Sequence, residues 1–286
     1  MNITVTVLVE NTVRQRGLLA EHGLAYWIQF GKRRILFDTG QGIVLQHNAR
    51  ELSIDLASVD DVALSHGHYD HAGGLEAVLL ANPAVRVFAH PDCTHPRFRQ
   101  TDQGRVLDVG MIAPNRNALE RMEQCQSWIK TNACTEIRSG LLITGPIPRV
   151  NDFEDTGGRF YLDAECRQKD AIVDDHALFF DTANGIVVVL GCAHSGVINT
   201  LDFVRQQIPD RPLHAVLGGL HLLHASAERV QRTIERLDHW GTPRLAVGHC
   251  TGDHVVAELR TAFPDRFMDF CVGSEFKFVT PDRPTD

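Results

Sequence analysis

Apolar and polar residues alternate with a period of two along the first 40 positions. Ile3 to Val9, Leu24 to Phe30 and Arg34 to Phe37 read as strands, with Gly23 and Gly31 at the turns. The spacing becomes helical from Ile43 to Leu52, and Asp61 to Ser65 is a short buried-type strand entering a histidine-rich loop. Leu75 to Ala81 predicts a helix stopped by Asn82-Pro83, with a strand from Val85 to Ala89 after it. Residues 91–150 are less regular and broken by prolines, and predict a cap or insertion on the scaffold. The rhythm then resumes with a hairpin of Ala177 to Asp181 and Ile186 to Leu190, turning at Ala183-Asn184-Gly185. Helices follow at Ile198 to Gln207, Ala227 to His239 and Val255 to Ala262, and strands at Ala215 to Gly218, Leu245 to Gly248 and, last, Met268 to Val272. The opening strands have hairpin-length links. That suits a layered α/β (α+β) sandwich forming one domain over 1–286 better than a parallel barrel.

A content of 43% hydrophobic and 22% charged residues is that of a globular chain, which excludes disorder, collagen and coiled coil. A formal charge of -8 without a basic run argues against nucleic acid as a partner. The longest apolar run, Ile186 to Ala193, is far too short to span a bilayer, so no membrane partner is expected. The seven cysteines are scattered and never spaced CxxC, and the first residues show no basic segment or cleavage site. The expectation is a cytoplasmic protein without a disulfide framework. Neither GxSxG nor a phosphate-cradling glycine pattern occurs. Oligomeric state is left open. The unusual count is histidine, at 15 residues.

The histidines bunch in Ser65-His66-Gly67-His68-Tyr69-Asp70-His71-Ala72-Gly73-Gly74. His66 and His68, two apart on an extended segment, point the same way, and Asp70 and His71 follow at the turn into a helix. Four potential ligands within six residues can serve two metal ions. Imidazole suits zinc, iron and manganese, and a carboxylate suits the harder of these. The bland alternative is a solvated polar turn, a pattern that a shuffled chain of this composition would rarely produce.

The segment resembles the HxHxDH motif of the metallo-β-lactamase superfamily, with Phe37-Asp38-Thr39-Gly40 and Val247-Gly248-His249-Cys250 matching its early strand-end Asp and late strand-end His. Thr144-Gly145-Pro146-Ile147-Pro148-Arg149, Asp174-Asp175-His176-Ala177-Leu178, Gly191-Cys192-Ala193-His194-Ser195-Gly196 and Gly218-Gly219-Leu220-His221-Leu222 narrow the resemblance. They point to the branch related to the dihydropterin-methyl ribofuranosylaminobenzene phosphate synthase of methanopterin biosynthesis. The resemblance implies an αββα sandwich with a dinuclear site at one edge. It implies His66, His68 and His194 on one divalent ion and Asp70, His71 and His249 on the other, with zinc expected first and manganese or iron as alternatives. His176 is a possible extra ligand. Asp38 is expected behind the ligands, holding an imidazole by its outer N–H. His221 is expected to contact substrate or a developing oxyanion, and Asp70 and His221 are the catalytic candidates. Cys192 and Cys250 read as small core residues. The resemblance also leads one to expect a bridging carboxylate at the strand end that closes Gly191-Cys192-Ala193-His194, and none is present.

Two divalent ions, one Asp and one hydroxide leave a net charge of about +2, which favours an anionic occupant, phosphate above all. Arg149 is the expected bidentate phosphate contact. The first functional expectation is a phosphodiesterase-like hydrolase in which hydroxide held between the ions attacks an anionic small molecule. The second is a transferase joining a pterin diphosphate to a ribofuranosylaminobenzene phosphate-type acceptor. A non-catalytic, metal-containing ligand sensor is the alternative of another class. Redox chemistry at iron ranks below these, because one Asp is little carboxylate for such a site.

Overall fold

Strands that are apolar on both faces, such as Gly185–Leu190, need cover on both sides, and this chain provides it with two sheets and two helical layers. The computed structural model describes residues 1–241 and 243–281. The first sheet has seven strands in the order Glu275–Val279, Asn2–Val9, Ala25–Phe30, Arg33–Phe37, Asp61–Ala63, Arg86–Ala89 and Trp128–Lys130. The second has six, in the order Arg244–Gly248, Leu213–Gly219, Gly185–Leu190, Ala177–Thr182, Leu141–Ile143 and Thr135–Arg138.

The pleat divides each strand between layers. Val187 and Val189 join Tyr26, Ile28 and Phe37 in the core between the sheets. Ile186, Val188 and Leu190 face away, under the helices Val197–Gln207, Ala227–His239 and Asp253–Ala262. Leu36, Val62 and Val87 likewise leave the first sheet for a core shared with Leu45–Glu51, Leu75–Ala81 and Ala113–Gln124. Burying each such side chain contributes about 1.5–3 kcal/mol. Helix, sheet, sheet and helix are thus held by three separate apolar layers, the αββα arrangement. Among the described residues, no helix is long and apolar enough to cross a membrane.

Two sequence expectations change. Segment 91–150 does not form one cap. Trp128–Lys130 pairs parallel with Arg86–Ala89 in the first sheet, and Thr135–Arg138 and Leu141–Ile143 belong to the second. Only Phe98–Gln100 and Val106–Asp108 stand apart, joined by Phe160–Tyr161 into a small third sheet. Nor is Met268 to Val272 a strand. Its backbone bonds are split between Leu245 and Thr12, so no continuous ladder forms. The last strand is Glu275–Val279, which pairs antiparallel with Asn2–Val9.

The strands ending at Phe37 and Ala63 are parallel neighbours, as are those ending at Leu190, Gly219 and Gly248. Their carboxyl ends meet at one edge of the sandwich, where open α/β sheets place ligands.

Candidate metal centre

Four residues just beyond these strands are forced out of extended geometry. Asp38 (φ 59°), Ala193 (φ 56°), His221 (φ 49°) and His249 (φ 51°) all take left-handed backbone, which costs a non-glycine residue about 1–3 kcal/mol. The reversals stand at the strand ends that bring Asp38, His194, His221 and His249 to the cluster. The histidine loop itself needs Gly67, because a Cβ there would lie 2.0 Å from the Cys93 carbonyl oxygen.

Buried carboxylates hold the loops. Asp174 accepts from the Gly67 amide (2.8 Å) and from Arg97 (2.7 Å), and the second side of that buried guanidinium faces Asp170 at 3.1 Å. Asp175 accepts from the Ser195 amide at 2.8 Å. Consecutive aspartates therefore brace the loop of His66 and His68 and the loop of His194.

Hydrogen bonds also fix which nitrogen of each ring faces inward. His71 Nδ1–H donates to Asp38 Oδ2 at 2.7 Å, as expected for that Asp. Ser65 Oγ donates to the same oxygen (2.7 Å) and so accepts from His66 Nδ1–H (2.8 Å). His194 Nδ1–H donates to the Thr156 carbonyl at 2.9 Å, and His249 Nδ1–H to Asn11 Oδ1 at 3.0 Å. The Nε2 atoms of His66, His71, His194 and His249 are left to present lone pairs.

These atoms converge in two groups. The His66, His68 and His194 rings lie 4.5–4.9 Å apart, centroid to centroid. His68 Nε2 and His194 Nε2 are buried without a hydrogen-bond partner. His71 Nε2 faces His249 Nε2 at 3.2 Å, with Asp70 Oδ2 3.8 and 3.6 Å from the two. Two nitrogens on a common tetrahedral zinc stand roughly 3.4 Å apart, given Zn–N of about 2.0–2.1 Å. The donor set therefore fits divalent ions, the ligand chemistry being five imidazoles and one carboxylate.

Charge agrees with that role. Burial holds His68 at about 3 and His249 at about 4, and pushes His66 and His194 well below the usual imidazole range, so these rings are neutral. Burial would lower His71 too, but Asp38 and Asp70 outweigh it and bring its pKa up to about 9. A proton fills that position when no cation does. Asp70 is opposed by burial, yet His71, His22 and His249 hold its carboxyl well below the usual range.

Three sequence expectations are corrected. His176 does not join the cluster: its Nδ1 is 3.3 Å from Thr131 Oγ1 and its ring packs edge-on against His90. Arg149 does not line the cleft over the cluster: its guanidinium donates to the carbonyls of His194 (2.8 Å) and Ala171 (2.6 Å). Cys192 is more than core filling, because its Sγ lies 3.1 Å from His71 Nε2, inside the cluster. The His221 ring lies 4.0 Å from the His194 ring, tilted by 43°, and its buried Nδ1 has no partner.

Other participants were invisible in the sequence. His22 reaches Asp70 Oδ2 at 3.2 Å from the turn between the first two strands. Glu10 accepts from the His249 amide at 2.8 Å and orients that loop. A cleft of about 240 Å³ opens over the cluster, walled by Phe160 and Leu107 of the third sheet and by Leu223, with Arg99 at its side. No motif spacing marks any of these residues.

Comparisons with known proteins agree with this geometry. The family model described as the metallo-beta-lactamase superfamily matches residues 19–163. The chain is 28% identical, over 97% of each chain, to the 7,8-dihydropterin-6-methyl-4-(β-D-ribofuranosyl)-aminobenzene-5'-phosphate synthase of Methanocaldococcus jannaschii. It is 30% identical to an uncharacterized protein of the same organism, over 89% of this chain and 93% of that one. Among solved structures, a metal-dependent hydrolase of the β-lactamase superfamily superposes with a TM-score of 0.78 at 27% identity, covering 96% of this chain and 98% of the other. A diphosphatase of the PhnP family shares the fold, with a TM-score of 0.55 at 15% identity over 97% and 98% of the two chains. By sequence and by architecture, the chain belongs to the metallo-β-lactamase superfamily.

Proposed function

We propose that this protein is a metal-dependent hydrolase that cleaves an anionic, phosphate-containing small molecule. The observation that carries the reading is the convergence of His66, His68, Asp70, His71, His194 and His249 beneath one cleft, with His68 Nδ1 2.9 Å from His66 Nε2, and His194 Nε2 unpartnered. Bound divalent ions supply Lewis acidity toward a phosphoryl oxygen and lower the pKa of water. Zinc suits this imidazole-rich set first, with manganese and iron as alternatives. The chain's own residues do the rest. Arg99, beside the cleft, takes over the anion-steering role expected of Arg149. His221 offers a second nitrogen 4.0 Å, ring to ring, from His194, where it can hydrogen-bond a substrate oxygen. Phe160, 5.3 Å from both His68 and His194, excludes water and offers a flat apolar wall.

That wall and the synthase relative favour a second reading, in which the same site joins the pterin part of a pterin diphosphate to a ribofuranosylaminobenzene phosphate-type acceptor, with diphosphate as the leaving group and the acceptor's proton released to solvent. The test is turnover by zinc- or manganese-loaded protein before and after chelation. Chelator-sensitive cleavage of bis(4-nitrophenyl) phosphate is the expected result. Product formed only when pterin diphosphate and aryl acceptor are both present would replace hydrolysis by transfer. A full metal load with tight ligand binding but no turnover would reject both in favour of a sensor.

A further inference from the structure

We propose that Arg229 is a positioning residue of the candidate metal centre: through Asp155 it holds the strap 151–158 that orients the His194 ring and seats His221. The proposal rests on the metal-binding reading above and adds a residue that lies outside the ligand set.

Two strap residues meet the site. The Thr156 carbonyl accepts from His194 Nδ1–H at 2.9 Å, and Gly157 lies so close to His221 that a Cβ there would stand 1.9 Å from its Cδ2. Asp155, just before them, decides where both stand. Its Oδ1 accepts from the Gly157 amide at 2.7 Å and from Arg229 Nη1 at 2.5 Å. Arg229 comes from the first turn of the helix Ala227–His239, whose start is fixed by Ser226 Oγ accepting from the Arg229 amide at 3.2 Å. Val230 and Leu237 anchor that helix in the outer core. The contact therefore ties the strap to a rigid element. Apart from the His194 bond itself, it is the one hydrogen bond among the described residues that joins positions 155–157 to the rest of the fold.

Stability alone does not account for this arginine. Its side chain is 4% exposed, whereas that of Asp155 is 78% exposed, and a pair with so exposed a partner contributes little. Nε and Nη2 are buried without partners, so the guanidinium carries an unrelieved desolvation cost that an apolar side chain would not. What the charge does accomplish is placement. It fixes the oxygen that orders Gly157, and with it the neighbouring Thr156 carbonyl. The remaining supports of the strap act before this point: Glu154 accepts from the amides of Ile198 and Asn199, both at 2.8 Å, and Arg232 reaches Asp152 at 2.7 Å. With Arg229 in place, His194 keeps its proton on Nδ1 and turns Nε2 to the cluster. Without it, Thr156 and Gly157 withdraw together and that proton is shared between the two ring nitrogens.

Nitrogen-15 NMR of histidine-labelled, metal-free protein reads the His194 ring, its signals assigned by their loss in His194→Gln. Wild type should show the proton on Nδ1, and Arg229→Met a mixture of tautomers. Arg229→Lys should restore the wild-type signal, because the contact uses one nitrogen and an ammonium can replace it. If Arg229→Met does not fold, Asp155→Asn, which keeps the shape and removes the charge, takes its place. Arg232→Met, at the more distant Asp152 pair, is the control and should leave the signal unchanged. In zinc-saturated protein, kcat for bis(4-nitrophenyl) phosphate should fall about tenfold in Arg229→Met with KM little changed, and recover in Arg229→Lys. An Nδ1 proton retained in both Arg229→Met and Asp155→Asn would overturn the proposal while leaving the metal reading intact. So would an equal effect of Arg232→Met, or a loss of kcat that Arg229→Lys does not recover. A wild-type protein that binds no zinc would overturn that reading and this proposal with it.

Discussion

Asp38→Asn tests whether the carboxylate behind His71 governs metal affinity. Asp38 is fully buried and accepts three hydrogen bonds, each of 2.7 Å: from the Ser65 amide, Ser65 Oγ and His71 Nδ1. Asparagine has the same shape but one acceptor oxygen and one NH₂. If the oxygen stays on the Ser65 amide, the NH₂ meets His71 Nδ1–H donor to donor. The ring must then move its proton to Nε2, the atom that faces His249 and Cys192. If the amide is reversed, the buried Ser65 N–H loses its partner at a cost of about 1–3 kcal/mol. Removing such an outer partner typically costs 10–100-fold in metal affinity, about 1.4–2.8 kcal/mol.

Proton competition opposes this loss and makes the prediction specific. Metal-free His71 titrates at about 9, because Asp38 and Asp70 overcome burial. At pH 7 a cation must therefore expel a proton, and wild-type affinity at this position should rise about tenfold per pH unit from 7 to 9. In Asp38→Asn the strongest opponent of burial is gone, the pKa falls, and most of that slope disappears. The deficit should accordingly be small at pH 7 and widen to 10–100-fold at pH 9. Zinc competition against a chromophoric chelator at pH 7, 8 and 9 measures it. Equal slopes with equal affinity at pH 9 would refute the role given to Asp38. The same pKa shift predicts that the metal-free wild type is stabilised by His71 protonation below about pH 6.5. That contribution is lost as pH rises through about 9, and thermal melts without metal can follow the loss.

Three further outcomes are expected. His68→Ala should lose metal and turnover together with unchanged circular dichroism, whereas His176→Gln should keep both ions, as metal analysis will show. Arg149→Met should lower stability by about 1–3 kcal/mol in denaturant melts by leaving the His194 carbonyl unpaired, with KM unchanged, while Arg99→Ala should raise KM for a phosphate ester about tenfold or more without shifting the melt. Gly157→Ala would place a methyl group 1.9 Å from His221 Cδ2, on a backbone with φ of 75°. It should cut kcat at least tenfold while metal content stays at the wild-type level, and an unchanged kcat would remove His221 from the reaction.

The parts of this arrangement that could be read from the chain are local ones. Ala227–His239 and Leu75–Ala81 have their observed bounds because helical spacing and a stop signal are contiguous in sequence. His66, His68, Asp70 and His71 are legible for the same reason. What escaped depends on distant partners. Glu275–Val279 alternates like any exposed segment until Asn2–Val9, from the other end of the chain, lies beside it. His22 carries no signal until the long connection between Val9 and Ala25 brings it to Asp70. Cys192 looks like one more apolar residue closing a buried strand, and only the assembled fold brings five imidazoles around its sulfur.

Residue type misled most where one group had two possible employments. Arg149 has the chemistry to clamp phosphate, but the His194 loop leaves a carbonyl that nothing else satisfies, and the guanidinium goes there. Asp174 and Asp175 stand next to His176 in sequence, yet each holds the backbone of a ligand loop. The consequence is physical rather than cosmetic. Charged groups spent on fixing loops make the imidazoles converge before any ion arrives, so little ordering remains to be done on binding. Four left-handed strand ends and a row of buried lone pairs are then a standing cost of the metal-free protein. The ions relieve the part of that cost that is electrostatic. On this argument metal loading should raise the melting temperature more than ligand count alone would suggest, and the braces at Asp174 and Asp175 should matter to affinity although neither touches an ion.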